Sequence, residues 1–566
     1  MPLLTVGLVL KLAIPCAAVL IAWVLRRYSY EYSERILRAF VSAFRNFAER
    51  RWVAIAVVTV FPIVFRLLLL PWLPIPSPAV HDEYVHLLIG DTLASGRLSN
   101  ATHPFWIHFE SPYVLHQPTY AGSYPPGQGA ILALGQRLTG QPWFGILVAS
   151  GLMCGAICWA LQEVLGSTWA FVAGLVAVIK LTMLRVGGEL VSYWVDSYWG
   201  GALVAIGGAL LFGALVRSYG TIRWHRSLLI AIGWTIIFFV RPFEAAVFAV
   251  VLAVMLAIWA LRSRSISLVT KVSHVVIPIG LVLTIAGGFA AYYNYAVTRD
   301  PLLLPYQLSK KLLGVPQNFV WQQPLPDPGF RHQSLADLYN WQLKEFLGGW
   351  SRKNITRTLR AFWEFFLGPW FTIPILALPW AKMNRQARLI IALASAGLLA
   401  HGLYWTYSPH YSGHYAVAVV LGIVLGMRAL VFWQWRGEPI GGYVLVAIIT
   451  AVLAGNIGAI GRLLLEYPVP LMERAHVEAQ LNQKAGRHLI FVHYRPGHNF
   501  HHEWVYNAAS IDTSHIVWAR EWTAHSDQEL MRYFGDRFIW VVDADEPGGR
   551  PNPNLVREPT SISRRE

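Results

Sequence analysis

The chain has 566 residues, of which 55% are hydrophobic and only 14% are charged, and this composition excludes an ordinary soluble protein of that length. The formal net charge of +15 does not by itself indicate a nucleic-acid partner, because much of the excess lies in short segments between apolar runs. We therefore predict an α-helical polytopic membrane protein that associates with membrane lipids and not with nucleic acid.

About twelve segments approach or reach the roughly 20 apolar residues that a membrane-spanning helix needs. They are 3–25, 53–72, 143–162, 168–185, 199–216, 228–240, 245–261, 274–293, 366–381, 389–405, 414–433 and 442–462. The sixth and ninth are short, which favours tilted or partly re-entrant helices there. All three cysteines fall inside apolar segments, so the loops offer neither a disulfide framework nor a thiolate zinc site.

Lysine and arginine in short loops predict the orientation of the chain. With twelve spans, four basic segments fall on one side, which must be cytoplasmic: 26–52, 217–227, 262–273 and 382–388. Two long loops, 73–142 and 294–365, and everything after residue 463 then lie outside. Because Arg26 and Arg27 follow the first apolar segment and no small-residue cleavage site is present, that segment is interpreted as a retained anchor.

The predicted organisation has four parts. They are an N-terminal anchor with a basic cytoplasmic segment (1–52), a transmembrane domain (53–462), a soluble α/β domain (463–546) and a disordered tail (547–566). The α/β domain is predicted from strand-like runs at 488–492, 516–519 and 538–542. Ser526 and Glu529 match a capping box that opens a short helix.

The first external loop begins with HDEYVHLLIGDTLASGRL, residues 81–98. His81 and His86 are five positions apart, and this spacing places them on different faces of a helix, unlike the pair of a metalloprotease helix. Asp82 and Glu83 could simply complement the positive N-terminus of that helix. Their position directly after a span is also where the headgroup of a lipid-borne substrate would lie.

A family resemblance distinguishes these two interpretations. An apolar span, a short proline-rich exit, Asp82-Glu83 and then THPFWIHFESPYVLHQPTYAGSYPPGQGAILAL resemble the GT-C superfamily of polyprenyl-phosphate-dependent glycosyltransferases, near the protein O-mannosyltransferase and aminoarabinose transferase branch. Tyr124-Pro125-Pro126-Gly127 resembles the family's Y-x-P-x-G entry into the next membrane segment. The resemblance covers residues 53–145 well and extends diffusely to about residue 430.

The resemblance implies an inverting transfer of a sugar from a polyprenyl phosphate to an extracytoplasmic acceptor, which could be a protein, a lipid or a polysaccharide. In a bacterium the enzyme would lie in the inner membrane, with 53–462 as its catalytic domain. A carboxylate can act as general base for the attacking hydroxyl. We predict Asp82 in this catalytic role, with Glu83 as its orienting or donor-contacting neighbour. No metal ligands are assigned, and a divalent metal as cofactor is left open.

The departing phosphate needs positive charge rather than a second carboxyl group. Candidates at the outer ends of spans are Arg241, Arg299, Lys310 and Lys311. An intramembrane charge is expensive and usually functional, which favours Arg241. For Lys310 and Lys311, lysine stems that simply reach toward the lipid headgroups are the competing interpretation.

Other external residues could contact the sugar or the acceptor. These are Glu110 in the first loop, Tyr193, Trp194 and Asp196 in one short turn, and His410, Tyr411 and His414 in another. Aromatic faces beside a carboxylate suit a sugar ring, but aromatic residues also belt membrane interfaces. Glu189 belongs to the same turn as Asp196. The densest histidine cluster, at 498–502, lacks the further ligand and the fixed geometry that a metal site would need.

A transporter or lipid flippase for a glycolipid is the main alternative. Such proteins use intramembrane charges and broken helices near the midplane, often in repeated halves. Here no internal repeat is found, and the acidic residues cluster outside the apolar segments, which favours the enzyme.

Overall fold

The computed structural model describes residues 2–28, 30–78, 80–183, 193–218, 221–263, 265–313, 317–465, 473–546 and 552–559, without side chains for 2–12 and 30–33. The chain begins with α1 (Pro2–Tyr28), α2 (Tyr30–Glu49) and α3 (Arg51–Leu68). The first loop then forms α4 (His81–Ala94), a 3₁₀ turn (Trp106–Phe109), a short hairpin of β1 (Val114–Leu115) and β2 (Ala121–Gly122), and α5 (Pro126–Thr139). The helix predicted over the start of this loop is confirmed as α4.

Apolar helices make up the central part of the chain. They are α6 (Trp143–Leu165), α7 (Ser167–Ala177) with a π-helical continuation (Val178–Met183), α8 (Gly201–Arg217), α9 (Trp224–Phe238), α10 (Pro242–Arg262), and α11 (Leu268–Lys271), which continues through a π-helical turn (Val272–Val276) into α12 (Ile277–Thr298). Buried positions occur around most of α6 and α8, as expected for helices surrounded by other helices.

The second long loop contains three helices and leads into the last membrane segments. Its helices are α13 (Pro305–Leu313), α14 (Gln333–Leu347) and α15 (Arg352–Phe366). After it come α16 (Gly368–Leu376), a 3₁₀ turn (Leu378–Trp380), α17 (Arg385–His401), a 3₁₀ segment (Pro409–Tyr415), α18 (Ala416–Val431) and α19 (Ile440–Leu465). Helices α14 and α15 are separated near Gly349, a glycine with a φ of 42°.

Six helices within the described ranges are long and apolar enough to cross a membrane: Arg51–Leu68, Trp143–Leu165, Pro242–Arg262, Leu268–Thr298, Pro409–Val431 and Ile440–Leu465. A seventh crossing is possible if the pair Arg352–Phe366 and Gly368–Trp380, which is bent by 92°, counts as one. The chain is therefore a polytopic α-helical membrane protein, as predicted. Each of the twelve predicted spans overlaps a helix. Fewer than twelve of these helices are long and apolar enough to cross a membrane, because several are shorter, such as Gly201–Arg217.

The C-terminal part is a small α/β unit. It contains α20 (Glu473–Asn482), β3 (His488–His493), β4 (Ile516–Arg520), α21 (Ala524–Tyr533), β5 (Phe538–Asp543) and β6 (Asn554–Arg557). The sheet order is β4-β3-β5-β6, with β3 parallel to β4 and β5, and β6 antiparallel to β5. The three predicted strands are confirmed as β3, β4 and β5.

Two details of this unit differ from the sequence prediction. The helix α21 begins at Ala524, because the Thr523 side chain accepts a hydrogen bond from the backbone N–H of Ser526 and so caps the helix three residues before the predicted cap. Residues Asn554–Arg557, which were expected in a disordered tail, form β6, because β5 offers an unpaired edge to which they bind.

The two faces of the sheet pack against different partners. Residues such as Ile490, Trp518 and Val542 pack with Val477 and Leu481 of α20. The opposite face packs with α4, the first loop and α14, in a core that includes these residues: Val85, Leu88, Ile89, Phe109, Tyr339, Leu489, Phe491, Val517, Ala519 and Ile539. Strands buried on both faces explain the continuous apolar runs of the sequence. The unit is thereby fixed against the loop that carries Asp82.

Candidate active site

One cavity of about 620 Å³ opens where α4, α10, α13, α14 and the Pro409–Tyr415 segment meet. Its lining includes five of the residues predicted for catalysis or binding: Asp82, Arg241, Lys310, His410 and Tyr411. These side chains come from four separate parts of the sequence. The structure therefore brings together a carboxylate, two cations and an aromatic-rich wall in one concave site, the arrangement expected of a ligand pocket.

Asp82 lies in the first turn of α4 and is partly exposed to the cavity. One of its carboxylate oxygens accepts a hydrogen bond from the hydroxyl group of Tyr124, and the other lies 3.6 Å from Nε2 of His81. Burial raises the pKa of Tyr124 well above its usual value, and the Asp82 charge raises it further, so the phenol stays protonated and can donate. Tyr124 thus holds the carboxylate in place.

The Tyr-Pro-Pro-Gly motif also positions the other side of the cavity. The backbone N–H of Gly127 donates to the carbonyl oxygen of Phe239 at 2.8 Å, and a Cβ at Gly127 would lie only 2.7 Å from that oxygen. Glycine is therefore required for the approach of α5 to the chain at the end of α9. Arg241 follows two residues after Phe239, so one short motif links the positions of Asp82 and Arg241.

Glu83 does not line the cavity. It is 3% exposed, and its carboxylate oxygens accept hydrogen bonds from the backbone N–H groups of Tyr198, at 2.9 Å, and of Val80, at 3.3 Å. The second contact satisfies the backbone N–H of the N-cap residue at the start of α4. The geometry places Glu83 as a support of the helix that orients Asp82, and it corrects the expectation of direct contact with the donor.

Arg241 directly precedes α10 and faces the cavity. The carbon of its guanidinium group lies 3.8 Å from the centre of the Tyr411 ring, a cation–π contact that fixes the orientation of the charged group. Burial raises the pKa of Tyr306, the Asp82 carboxylate raises it further, and the Arg241 guanidinium lowers it. Asp82 and Arg241 both line the cavity, so their charges face the same space.

Of the three other predicted phosphate-binding cations, only Lys310 reaches the cavity. It is 8% exposed, its Nζ atom lies 5.2 Å from the centre of the Tyr306 ring, and burial lowers its pKa to about 7. Lys311 and Arg299 are exposed and do not line the cavity, so a phosphate-binding role for these two is not supported. Consecutive side chains of a helix point in different directions. Lys310 therefore points into the cavity, whereas Lys311 points to the exposed side of α13.

Asp196 and Trp194, predicted to contact sugar, are structural residues outside the cavity. Asp196 forms a buried ion pair with Arg66, with 2.7 Å between Oδ1 and Nε. Trp194 is fully buried and packs against Phe365, with 4.8 Å between ring centres. Since neither side chain reaches the cavity, the expectation of sugar contact is corrected for both. Glu189 of the same turn lies outside the described residues.

Of the remaining aromatic and histidine candidates, some line the cavity and others pack behind the residues that line it. The His410 ring stacks on Trp199 at 4.4 Å between ring centres, and both residues line the cavity. Tyr193 stands behind this wall and pairs its hydroxyl group with Nδ1 of His410 at 2.7 Å. His414 is fully buried and does not line the cavity, so its predicted contact with phosphate or acceptor is not supported.

Glu110 ties loops together instead of shaping the cavity. Its Oε1 atom accepts a hydrogen bond from Arg331 of the second loop at 3.0 Å, and its backbone carbonyl accepts one from Arg520 of the C-terminal unit at 2.7 Å. Burial raises the pKa of Glu110, and the Arg331 guanidinium partly offsets this increase. The expectation that Glu110 contacts the acceptor is corrected on this geometry.

Several lining residues were not assigned from the sequence. His81 and His86, considered only as neighbours, both line the cavity, together with Tyr306, Trp341, Glu244 and His501. Burial lowers the pKa of His86 to about 3, so this imidazole is neutral and adds no cation to the site. His81 and His86 could have been found from their proximity to Asp82 in the sequence. His501 carries no such signal, because only the docking of the C-terminal unit places it there.

Within the described part of the chain, no group of three or more His, Cys, Asp or Glu side chains has a geometry that could hold a metal ion. The charged residues that line the cavity are two carboxylates, Asp82 and Glu244, and two cations, Arg241 and Lys310, set among aromatic side chains. The cations can hold an anionic group of a ligand, and the carboxylates can accept hydrogen bonds from its hydroxyl groups.

No protein-family model matches the sequence, and the comparison with curated proteins also finds no match. Solved structures resemble the chain at low identity. It is similar to ArnT from Cupriavidus metallidurans bound to undecaprenyl phosphate, with 11% identity, a TM-score of 0.48 and coverage of 89% of this chain and 93% of that chain.

Two further structures are similar over most of this chain. The Archaeoglobus fulgidus oligosaccharyltransferase in complex with Zn and sulfate shows 11% identity and a TM-score of 0.44, over 87% of this chain and 67% of that chain. The arabinofuranosyltransferase AftD from mycobacteria shows 14% identity and a TM-score of 0.42, over 87% of this chain and 35% of that chain. At these identities and TM-scores, the chemistry has to be argued from the side chains of the cavity.

Proposed function

We propose that this protein is a GT-C-type inverting glycosyltransferase that moves a sugar from a polyprenyl-phosphate donor to an acceptor on the extracytoplasmic side of a bacterial inner membrane. The observation that carries the proposal is the presence of Asp82 and Arg241 in one cavity, with Arg241 directly before the candidate membrane-spanning helix α10. The Asp82-Glu83 and Tyr124–Gly127 motifs of the sequence resemblance meet at this cavity.

The proposed reaction is a single displacement. Asp82 accepts the proton of the acceptor hydroxyl group as its oxygen attacks the anomeric carbon of the donor sugar. The bond from that carbon to the phosphate oxygen breaks, and the phosphate leaves with the electron pair. Attack and departure on opposite faces invert the anomeric centre.

Arg241 and Lys310 stabilise the negative charge of the departing lipid phosphate, which needs no proton because it is already stable as an anion. Tyr411 keeps the Arg241 guanidinium oriented toward the cavity through the cation–π contact. Tyr124 donates to Asp82 and keeps its carboxylate turned to the acceptor side. This distribution explains why one carboxylate is sufficient in the role of base, whereas a glycoside hydrolase needs two.

The test uses the full-length protein in detergent or liposomes with a panel of undecaprenyl-phosphate-linked sugars and an envelope extract as acceptor. We expect Asp82→Asn to lower the release of undecaprenyl phosphate by about 100-fold or more, since general-base catalysis contributes about 10²- to 10⁴-fold. Asp327→Asn is the matched control, because Asp327 is an exposed loop carboxylate outside the cavity.

Two outcomes would contradict the proposal. Release near the wild-type rate in Asp82→Asn would remove the assigned base. Movement of the intact glycolipid across liposomes, without any release of undecaprenyl phosphate by the wild type, would instead identify a flippase. Arg241→Ala should weaken binding of undecaprenyl phosphate by about tenfold or more in the same preparation, and this measurement separates the role of the cation from that of the base.

A further inference from the structure

Glu244 is a second carboxylate of the cavity, and the reaction proposed above does not use it. It lies in the first turn of α10, lines the cavity and is only 2% exposed. Neither of its carboxylate oxygens has a hydrogen-bond partner among the described residues. In this respect Glu244 differs from Asp82, whose carboxylate accepts from Tyr124.

A buried carboxylate whose oxygens lack hydrogen-bond partners is unfavourable, because its hydrogen bonds to water are lost and not replaced, and the attraction of the Arg241 guanidinium offsets only part of this cost. Buried polar groups in folded proteins are nearly always paired, and an exception calls for a reason such as a ligand. The positive N-terminal end of α10 compensates part of the charge of Glu244, since the residue lies in the first turn of that helix. Its oxygens nevertheless remain open as hydrogen-bond acceptors.

The position of Glu244 relative to Arg241 indicates what would bind these oxygens. Arg241 is the residue immediately before α10, Glu244 lies in the first turn of that helix, and both side chains line the cavity. A ligand whose phosphate is held by Arg241 therefore places a group attached to that phosphate near Glu244. In a polyprenyl-phosphate donor the two attached groups are the apolar polyprenyl chain and the sugar, and only the sugar ring carries O–H and, in an amino sugar, N–H donors for a carboxylate.

We infer that Glu244 binds the sugar ring of the donor by accepting hydrogen bonds from its hydroxyl or amino groups, and that it thereby determines which donor sugars the protein uses. This inference rests on the proposed function and adds to it a specificity-determining residue. A site built to pair with ring hydrogen-bond donors rejects an analogue that lacks them, because the carboxylate would then remain buried and unpaired.

The test measures binding to the full-length protein of bare undecaprenyl phosphate and of the same lipid phosphate carrying a neutral hexose, a deoxyhexose or an amino sugar. The wild type should bind at least one sugar-bearing lipid more tightly than the bare lipid. Glu244→Gln should weaken that binding by about tenfold or more, the effect of one hydrogen bond to a charged group, and should leave binding of the bare lipid within about twofold.

The comparison among the sugars identifies the hydrogen-bond donor. A preference for the hexose over the deoxyhexose indicates recognition of a hydroxyl group, and a preference for the amino sugar indicates recognition of an amino group. Arg241→Ala is the matched comparison, since it should weaken binding of the bare and the sugar-bearing lipids alike.

A thermal unfolding measurement without ligand keeps the inference falsifiable if the variant is unstable. Because neither carboxylate oxygen of Glu244 has a hydrogen-bond partner among the described residues, and its burial costs more than the Arg241 attraction returns, Glu244→Gln should leave the melting temperature unchanged or raise it. A clear fall would show that Glu244 serves the fold and would overturn the inference, as would equal weakening of bare and sugar-bearing lipids. The proposed function fails separately, if the wild type binds no lipid phosphate at all.

Discussion

Among individual side chains, the two cations of the cavity are expected to respond differently to pH. Arginine stays charged at any pH that the protein tolerates. Lys310 is different, because burial lowers its pKa to about 7 and the lysine loses its charge as the pH rises through that value. The site therefore contains one permanent and one titratable cation.

From this difference we predict that the affinity for undecaprenyl phosphate falls as the pH rises above about 7, by up to about tenfold per pH unit until the pKa of the bound state is reached. The sign follows from linkage: the phosphate binds the protonated lysine more tightly, so binding takes up the proton that free Lys310 has lost. Dissociation constants measured from about pH 6 to about pH 9 test this prediction.

Lys310→Arg is the control for this titration. It keeps the charge at every pH, so its affinity should not fall over the same range. The phosphate itself becomes more negative above about pH 6, which would strengthen binding as the pH rises. A wild-type curve that follows the Lys310→Arg curve would therefore assign the pH dependence to the phosphate and not to Lys310.

Between elements, the buried ion pair of Arg66 and Asp196 joins α3 to the short turn that precedes α8. All three guanidinium nitrogens are used: Nε contacts Asp196 at 2.7 Å, and the other two donate to the carbonyl oxygens of Leu73 and Pro74, each at 2.9 Å. Arg66 thus holds the proline-rich segment between α3 and α4 in place. The path of this segment determines where α4 begins and where Asp82 lies.

We predict that Asp196→Asn lowers the stability of the protein by about 3–5 kcal/mol, because a buried guanidinium would lose its charged partner. Thermal unfolding in detergent measures this loss. The double variant Arg66→Met/Asp196→Leu removes both charges and should recover much of the stability. A melting temperature unaffected by Asp196→Asn, together with a loss of transfer, would instead restore the sugar-contacting role expected from the sequence.

For the whole molecule, the C-terminal unit is part of the cavity. Arg520 joins it to both long loops, since it donates to the Glu110 carbonyl and to Ser334 Oγ, each at 2.7 Å, and pairs with Glu503. This docking places the His501 ring 6.0 Å from the His81 ring and 5.0 Å from the Trp341 ring, measured between centres. His501 therefore lies beside His81, the residue before Asp82, and lines the same cavity.

We predict that His501→Ala raises the KM for the acceptor by about twofold to tenfold, the range expected for one aromatic contact, while binding of undecaprenyl phosphate is unchanged. Steady-state kinetics with varied acceptor test this prediction. His502→Ala is the matched control, because His502 is exposed and does not line the cavity. Weaker binding of the lipid phosphate in His501→Ala would argue against an acceptor-side position.

Much of the architecture could be predicted from the sequence because its causes are local. Long apolar runs require helices in a membrane, and short apolar runs between turn residues indicate strands, so the helical bundle and β3 to β5 follow from composition and periodicity. Asp82 and Tyr124 were likewise accessible, because each belongs to a short motif within one loop. Arg241 was identified because a charge between apolar runs is costly and calls for a function.

Only the tertiary structure decided which charged residues meet. Asp82 and Asp196 both follow apolar runs and look alike in the sequence, yet one faces the cavity and the other neutralises Arg66. Lys310 and Lys311 are adjacent, and only Lys310 lines the cavity. The sequence by itself determined a polytopic membrane chain with an acidic loop and a C-terminal α/β unit, because hydrophobicity acts locally. Which residues line the cavity depends on contacts between segments that are distant in the sequence, as for Glu244 and His501. No local sequence pattern encodes these contacts.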